Sequence, residues 1–519
     1  MAWLVWFAAL APLAHFTLAL TPGGAPGVLR ASRITALVGL GAGAFALAYP
    51  LVFGSLTLPL VGGDPLGLSL RLDPLSGVMS ALIGFIGWVV LGYSRNYLAG
   101  DPRQAQFLRT LSLTLGLVQG LVLAGDLLQL VLCWIGASLA VNRLLLFRGE
   151  RQAAVLAARK RFLVSRLAEA CLILAAVMMW RATGTTDIAQ ILERAGSLPA
   201  PTLSLAALLL ALSAVFSSAQ LPFHGWILEV METPTPVSAL LHAGVVNAGG
   251  FLMLRFAEVL AAQPGALLLL IVVGAATAIF GSLVMLTQTS VKVGLAYSTI
   301  AQMGFMLLEC GLGAFSAALL HIVAHSLYKA HAFLSAGGAA AHGSTPRARR
   351  HAPLAAGLAL PLLVGAAASL AAWIGLGPAK DPGVLVLTGV LALGLARVLI
   401  YAWECGSRTM MAAGLATSVL AVAGYGLAQA LFAQLVAGVL PPPPAPSTLA
   451  VGVSIAALTL MAGLVGLQLV LPRADGATGW ARAYAVVANG FYLNTLANRW
   501  ALRFWPAPPK FAAQDGAAQ

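Results

Sequence analysis

Continuous apolar runs of about 20 residues recur along almost the whole chain, and they constrain the fold more than any other feature. A helix of about 20 apolar residues crosses the hydrocarbon core of a bilayer. Because lipid offers no partner to free backbone groups, spanning segments must be helices or closed barrels. The runs do not alternate between apolar and polar residues, which favours helices. The sequence therefore predicts an all-α polytopic membrane protein.

Composition agrees with this prediction and explains the charge of the chain. Hydrophobic residues make up 60% of the 519 residues and charged residues only 9%, against about 25% charged in a soluble domain. The net charge of +13 does not require a nucleic-acid partner, because the basic residues have a topological pattern. Four isolated cysteines form neither a metal motif nor a disulfide framework.

Hydropathy predicts 14–15 membrane-spanning helices. The candidate spans lie near residues 1–21, 33–61, 75–94, 107–125, 127–147, 162–181, 202–221, 236–257, 265–287, 291–310, 313–340, 353–376, 384–403, 409–439 and 448–471. Residues 1–471 are then a transmembrane domain, and residues 472–519 are a cytoplasmic or interfacial tail. We expect the segments 62–74 and 182–200 to be the largest external loops, and residues 1–21 to be a membrane helix without a basic n-region.

Basic residues cluster after odd-numbered spans, which places them on one face of the membrane. They are Arg30, Arg33, Arg95, Arg103, Arg109, Arg148, Arg151, Arg159, Lys160, Arg161, Arg347, Arg349, Arg350, Arg408, Arg473 and Arg482. The positive-inside rule makes that face cytoplasmic. We therefore predict an external N-terminus, a cytoplasmic C-terminus and a bacterial inner-membrane location.

The eleventh span carries three ionisable residues on one helix face. His321, His325 and Lys329 are spaced i, i+4 and i+8. A charge at bilayer depth costs at least a few kcal/mol, so such residues need a reason. Histidine titrates near neutral pH and buried lysine shifts readily, so the stripe can pass protons stepwise. A packing role would suit a single histidine better than three aligned groups.

A second polar group surrounds an interrupted span. Pro222 breaks one apolar run, and Pro234 and Pro236 separate it from the next. Breaks of this kind often line water-filled cavities. His224, Glu229, Glu232 and His242 lie around it. His242 is the strongest pathway candidate of these, whereas the two glutamates fit the cytoplasmic interface equally well.

Other polar residues have simpler explanations. Arg166 and Glu169 are spaced i, i+3, which favours mutual charge neutralisation. Lys292 can either snorkel or face the pathway. Arg255 and Glu309 lie near span ends, where snorkelling to the interface explains them. The aromatic, Arg-containing segment 480–505 fits an interfacial helix or a partner-docking segment equally well.

Three ordered motifs resemble those of the antiporter-like subunits of respiratory complex I and of multisubunit cation/proton antiporters. The motifs are Ser218-Ala219-Gln220 with Pro222, His224, Trp226 and Pro234 through Ala243; Lys292 with Leu295 through Thr299; and His321, His325 and Lys329. Arg166 and Glu169 also match the family's R-x-x-[DE] pair. The resemblance implies an antiporter-like fold with broken helices, and it implies that these residues line proton half-channels.

Departures from the family pattern indicate which subgroup of the family the chain resembles most. Ile135 stands where the family has a glutamate, and Ser217 and Ser218 stand where a lysine usually precedes the first motif. Lys380 is the available candidate for a further family lysine. This altered pattern resembles the membrane subunits of energy-coupled bacterial inorganic carbon pumps. That resemblance implies a partner subunit with a zinc site akin to carbonic anhydrase, no cofactor in this chain, and H⁺, or alternatively Na⁺, as the driving ion.

Two other functions stay open at this point. The chain can be a subunit of a cation/proton antiporter or of a complex I or hydrogenase membrane arm. It can also be a membrane anchor that conducts nothing. In the main hypothesis it is not itself an enzyme, and its pathway comprises His242, Lys292, His321, His325 and Lys329, with Glu232 and His224 near the cytoplasmic mouth.

Overall fold

The chain is mostly helical in its computed structural model, which describes residues 2–62, 67–339, 382–445, 447–470 and 478–505. The helices of the N-terminal half are α1 Trp6–Leu20, α2 Ala25–Phe53, α3 Pro74–Tyr97, α4 Gln104–Val122, α5 Leu127–Leu145, α6 Gln152–Thr183, α7 Ile188–Glu193, α8 Ala200–Ser217, α9 Gly225–Glu229, α10 Thr235–Ala243, α11 Ala248–Arg255 and α12 Ala257–Ala261. Those that follow are α13 Pro264–Met285, α14 Val291–Gly311, α15 Phe315–Ala339, α16 Pro382–Glu404, α17 Arg408–Val436, α18 Thr448–Val470, α19 Thr478–Ala488 and α20 Leu493–Phe504.

Every predicted span within the described ranges coincides with a helix or an interrupted helix, although several bounds differ, as for α2 and α6. Within the described ranges, eleven helical segments are long and apolar enough to cross a membrane, with α10 and α11 counted as one segment. Shorter or more polar helices, α1, α4 and α15, occupy three further predicted spans. The predicted span at 353–376 lies outside the described residues. The polytopic helical fold is therefore confirmed.

A β-hairpin occupies the end of the predicted second span, 33–61, and part of the predicted loop, 62–74, so that span ends earlier than predicted, at Phe53. Strands β1 Leu56–Val61 and β2 Leu68–Leu72 pair antiparallel, and Leu70 makes a further bridge to Ala124. The alternation Leu-Thr-Leu in β1 and Leu-Ser-Leu in β2 suits strands with one covered face. Asp73 then begins α3, since its side chain accepts a hydrogen bond from Ser76 N at 2.8 Å in a capping box.

The chain divides into two compact units. The first contains Met1–Ala266, Ile322–Ala336 and the C-terminal segment from Tyr492, as far as these are described. Within it, α2 and α3 approach closely at small residues, since a Cβ on Gly77 would lie 2.6 Å from the Ala46 carbonyl oxygen. Such small-residue contacts are typical of membrane helices, where packing rather than water exclusion holds helices together.

The second unit contains Leu267–His321 and Gly337–Phe491, as far as these are described. Its core brings together Ile271 and Ala275 of α13, Leu308 of α14, Val386 of α16 and Ala457 of α18. Helix α17 packs little of its surface inside the chain, and Val419, Leu420 and Leu427 on it are exposed. Those side chains suit contact with lipid or with another subunit.

The first unit contains an interrupted membrane segment that positions most of the polar groups. After α8 the chain turns through residues 218–224, where Ala219 has a φ of 50°. Helix α10 then ends at Ala243, and a 3₁₀ turn at Val245–Asn247 precedes α11. Irregular backbone at membrane depth is tolerated where it is buried in protein or lines a cavity.

Candidate functional site

Helix α15 holds the three stripe residues in one continuous helix. Lys329 is fully buried, and His325 is 5% exposed. Both belong to the first unit, whereas His321 belongs to the second. In the second unit, His321 Nδ1 lies 2.9 Å from the Glu309 carboxylate on α14. The stripe therefore begins with a half-buried histidine paired with a glutamate and ends with a buried lysine.

Glu309 corrects one sequence expectation. The prediction placed it near a membrane interface, but its side chain is 3% exposed and contacts His321. Glu309 does lie near the end of α14, which stops at Gly311, but its side chain is packed against α15 instead of reaching water. A carboxylate facing a histidine forms an acid–base couple, and sequence spacing alone could not show that these residues meet.

His242 packs against α15 within the first unit. Its ring stacks on that of Phe333 with centroids 4.2 Å apart, and it lies within electrostatic range of Lys329. Asn247, in the 3₁₀ turn after α10, donates a 2.8 Å hydrogen bond to Ser326 on α15. The break in the α10–α11 segment therefore faces the part of α15 that carries His325 and Lys329.

His224 and Glu229 lie at the start of the interrupted segment, next to α6. His224 is buried and lies within electrostatic range of Lys160. Lys160 Nζ donates to Glu229 Oε1 at 2.5 Å, to Asn498 Oδ1 at 2.5 Å and to Asn494 Oδ1 at 2.7 Å. The Gly225 carbonyl oxygen is a fourth, more distant acceptor at 3.3 Å.

This cluster corrects the predicted loop position of the basic residues before the sixth span. Helix α6 begins at Gln152, so Arg159, Lys160 and Arg161 lie inside it, and Lys160 and Arg161 are buried. The hydropathy window excluded these residues because their charges lowered its mean. Buried pairing with Glu229, which is 69 residues away, is what makes a helical position acceptable.

A second buried ion pair joins the hairpin region to the interrupted segment. Arg255 Nη1 donates to Asp73 Oδ2 at 2.5 Å, and Arg71 Nε donates to the same carboxylate at 2.7 Å. Burial alone would raise the pKa of Asp73, but the charges of Arg255 and Arg71 outweigh it and hold that pKa well below its usual range. Arg255 is 2% exposed, so the expected snorkelling to an interface is wrong.

The remaining predicted site residues have separate positions. Arg166 donates a 2.6 Å hydrogen bond to Glu169 one turn along α6. Lys292 is half-buried in the first turn of α14, in the second unit. Glu232 ends a 3₁₀ turn at Val230–Glu232, but its side chain lies outside the described part of the structure. Lys380 also lies outside the described residues.

The C-terminal segment is helical and contacts the first unit through α20. Besides the bonds from Lys160, Arg159 Nη1 donates to the Trp505 carbonyl oxygen at 2.8 Å. Leu496 and Trp500 on α20 are exposed. The segment thus combines a polar anchoring face with an apolar face, as an interfacial helix or a docking segment would.

No metal centre is evident in the described part of the chain. No group of three or more His, Cys, Asp or Glu side chains is arranged there to hold a metal ion. Titratable groups are instead arranged in pairs and along one helix, which suits transfer of protons between neighbours.

Comparison with protein families assigns the chain to a class. Residues 124–421 match the model for the membrane domain of NADH:quinone oxidoreductase and Mrp antiporters. Residues 60–108 match the N-terminal region of complex I chain 5. The Mrp complex of Dietzia sp. contains a similar chain, with a TM-score of 0.64 and 26% identity over 99% of this chain and 59% of that one. The chain therefore belongs to the proton-antiporter family of membrane subunits.

Curated relatives place it more closely within that family. One is DabB2 of Halothiobacillus neapolitanus, a probable inorganic carbon transporter subunit, with 38% identity over 90% of this chain and 87% of the relative. Another is DabB of Hydrogenovibrio crunogenus, described in the same way, with 47% identity over 53% of each chain. Within the antiporter family, the chain's close curated relatives are thus the DabB inorganic carbon transporter subunits.

Proposed function

We propose that the chain conducts protons, or alternatively Na⁺, down their gradient and so drives inorganic carbon uptake by a partner subunit. The partner is expected to be a DabA-like, zinc-binding protein akin to carbonic anhydrase, which hydrates CO₂ so that bicarbonate accumulates. Similarity to DabB subunits supports the choice of substrate, and membership of the antiporter family supports the ion-conducting role. This chain supplies coupling, while zinc and catalysis belong to the partner.

The observation that carries the proposal is the pairing of α15 with the interrupted helix. His325 and Lys329 lie buried on α15, and His242 packs against that helix through Phe333. Three titratable groups of this kind would be an expensive way to pack two helices in lipid. They do provide imidazole and amine groups that can accept and donate protons.

The proposed pathway residues form one set in each unit. His325, Lys329 and His242 provide the central part in the first unit. His321 with Glu309, and Lys292, provide the part in the second unit. His224 and Glu232 lie near the proposed cytoplasmic mouth of the pathway, with Arg166 and Glu169 as a supporting ion pair. The proposed orientation, with the N-terminus outside and the C-terminus cytoplasmic, follows from the distribution of basic residues.

Replacement of His325 or Lys329 by Ala tests the proposal in cells that depend on this uptake system for growth in air. We expect inorganic carbon accumulation to fall to the level of protonophore-treated cells, while the variant still copurifies with its partner. Tyr328→Phe is a matched control, because Tyr328 is on the same helix but 57% exposed. Normal accumulation in assembled His325 and Lys329 variants would contradict the proposal.

The family comparison also supports a second candidate, an antiporter subunit, since a chain of the Mrp complex shares the fold over 99% of this chain. Under that alternative, the copurifying proteins would be other membrane subunits, and Na⁺ or K⁺ flux would depend on Lys329. A non-conducting anchor would instead leave uptake insensitive to protonophores. Identification of the copurifying partner separates these outcomes.

A further inference from the structure

Arg161 is a buried cation whose charge the protein only partly compensates. It lies inside α6 and is 7% exposed. Its Nη1 donates to Ser165 Oγ at a long 3.3 Å, and its guanidinium lies over the Trp226 ring at 5.0 Å. Its Nε has no hydrogen-bond partner in the described part of the chain. A buried cation without a hydrogen-bonded counter-charge is costly.

The carboxylates near Arg161 already have other partners. Glu169 accepts from Arg166 at 2.6 Å, and Glu229 accepts from Lys160 at 2.5 Å. Each of those pairs is neutral as a whole, so neither carboxylate offsets the buried charge of Arg161 in full. A bound monovalent anion would balance it.

A cavity of about 70 Å³ adjoins Arg161 in the first unit. Trp226, Ser138, Ser165, Ser217 and Asn247 also line it. In the same measure a single water molecule needs at least about 10–15 Å³, so the cavity has room for an anion of a few heavy atoms. Its walls are otherwise largely apolar, which would strengthen a charge-assisted hydrogen bond inside it.

Asn247 provides a second unsatisfied group, which is a hydrogen-bond acceptor, whereas Arg161 is a donor. Its Nδ2 donates to Ser326 Oγ at 2.8 Å and to the Ala243 carbonyl oxygen at 3.2 Å. Its Oδ1 is buried and accepts no hydrogen bond from the described residues. The cavity wall therefore offers a cationic donor at Arg161 and a neutral acceptor at Asn247.

We propose that this cavity binds bicarbonate, with its anionic oxygens at Arg161 and its O–H donated to Asn247 Oδ1. A planar oxyanion suits the flat guanidinium, which favours such partners over spherical ions. Bicarbonate also carries the one donor that Asn247 requires, whereas nitrate and chloride carry none. This chain would then recognise bicarbonate itself. The choice of this ligand rests on the proposed role in inorganic carbon uptake.

Asn247 links the site to the proposed proton route. Its Nδ2 holds Ser326, which lies next to His325 on α15. A ligand bound to Asn247 is therefore connected through this side chain to α15, the helix whose titratable residues are proposed to carry protons. Bicarbonate in the cavity would bias that helix without occupying the route.

Thermal unfolding of the full chain, purified with the partner that accompanies it, tests the site. The probes are sodium bicarbonate, sodium nitrate and sodium chloride at equal ionic strength and the same mildly alkaline pH. Because the proposed zinc site of the partner also binds bicarbonate, the contribution of the cavity is the difference between the unmodified complex and the complex that carries Arg161→Gln, measured in unfolding temperature and in ¹³C line broadening of bicarbonate. We expect bicarbonate to raise the unfolding temperature more than nitrate, and nitrate more than chloride. Equal effects of bicarbonate and chloride on the unmodified protein would overturn the proposal without any variant.

Two variants assign the binding groups. Arg161→Gln should weaken bicarbonate binding at least about tenfold, the scale of a lost hydrogen bond to a charged group. Asn247→Leu should bring bicarbonate affinity down to that of nitrate. Arg103→Gln is the control, since Arg103 is a 45% exposed surface arginine. Unchanged bicarbonate binding in Arg161→Gln, or water alone in the cavity of a bicarbonate-soaked structure, would sink the assignment.

This test is independent of ion conduction. Binding is measured without a gradient, so bicarbonate binding with protonophore-insensitive uptake would refute the proposed function and leave the site standing. Gradient-driven uptake without bicarbonate binding at Arg161 would refute the site and leave the proposed function standing.

Discussion

Two buried lysines of the first unit, Lys160 on α6 and Lys329 on α15, have very different surroundings. Lys160 donates to a carboxylate and to two asparagine oxygens at 2.5–2.7 Å, with a carbonyl oxygen at 3.3 Å. Lys329 is fully buried within electrostatic range of His242, one turn from His325 on its own helix and 5.5 Å from the Tyr328 ring centroid. An ammonium that already has three close acceptors is fixed in its charged form, whereas one among imidazoles has neighbours that can take its proton.

The contrast distinguishes a lysine that stabilises the fold from a lysine that is proposed to transfer protons. Burial alone does not mark a residue for transport, because both lysines are buried. What differs is the partner: fixed oxygen acceptors hold the charge in place, and titratable neighbours allow it to move. The contacts of Lys160 anchor α20, and the surroundings of Lys329 agree with its proposed role in proton exchange.

The largest expected effect concerns transport. Lys329→Met should lower gradient-driven carbon accumulation by about 100-fold or more, the scale of a lost proton-transfer group. The double variant Lys160→Met with Glu229→Gln should retain most of that activity, because it removes both charges of an anchoring pair. Uptake is measured in assembled complexes with and without a protonophore. If the double variant lost as much as Lys329→Met, Lys160 would belong to the route and the comparison would fail.

For the free energy of unfolding we expect the opposite order, with a larger loss from replacing Lys160 than from replacing Lys329. Lys160→Met alone leaves Glu229 buried without its cation, which should cost about 3–5 kcal/mol of unfolding free energy. Lys329→Met removes a buried charge and should be neutral or stabilising. Thermal unfolding of the purified variants measures both. Adding Glu229→Gln to Lys160→Met should restore much of the loss, and absence of that rescue would show that Lys160 acts through other contacts.

The Asp73–Arg255 pair tests whether a second buried ion pair also contributes to stability. Asp73→Asn should cost about 3 kcal/mol at neutral pH, because it leaves Arg255 buried with no carboxylate. The pKa of Asp73 is lowered from its ordinary value of 3.8. Its stabilisation is therefore fully present above that pH and is lost only as pH falls through the lower, folded-state pKa.

An acid titration of thermal stability checks this prediction. The difference between the unmodified protein and Asp73→Asn should stay constant from neutral pH down to about pH 4 and shrink only below it. A difference that already shrinks in the neutral range would mean that another group sets it.

The smallest effect concerns the asparagines of α20. Asn494→Leu or Asn498→Leu should each cost about 1.5–3 kcal/mol, the value of a hydrogen bond to a charged group. We expect the change to appear as faster proteolysis within the C-terminal segment rather than as lost transport. Asn489→Leu is a suitable control, because Asn489 bonds only its own helix turn at Ala485 in the described structure. A protease pattern that is the same in all three variants would argue against anchoring by Lys160.

Local patterns predicted the helices and the α15 stripe, because both depend on short sequence spacing. His321, His325 and Lys329 share a helix face at any packing arrangement. Partners remote in sequence were not predictable in this way. Arg255 and Asp73 are 182 residues apart, and Lys160 and Asn498 are 338 apart. From the sequence, Arg255 was expected near an interface and Lys160 in a loop, because neither partner could be identified.

The hairpin and the position of Arg161 were missed for related reasons. Strands β1 and β2 are too short and too apolar to stand out between two membrane spans. Arg161 occurs in a basic run that also fits a cytoplasmic loop, and only the start of α6 at Gln152 places it inside a helix. A buried charge inside a predicted span is a useful signal, but it does not name its partner.

The closure of the Lys160 cluster by α20 sets an order of events during biogenesis. Glu229 lies 69 residues after Lys160, whereas Asn494 follows Glu229 by another 265. At typical synthesis rates the ribosome needs on the order of tens of seconds to cover that second distance. Of the acceptors that surround Lys160 in the described structure, only Glu229 and the Gly225 carbonyl oxygen have been synthesised during that interval. Arrival of α20 would thus be a late step of maturation, and a quality-control protease could distinguish finished from unfinished chains by whether this helix is seated.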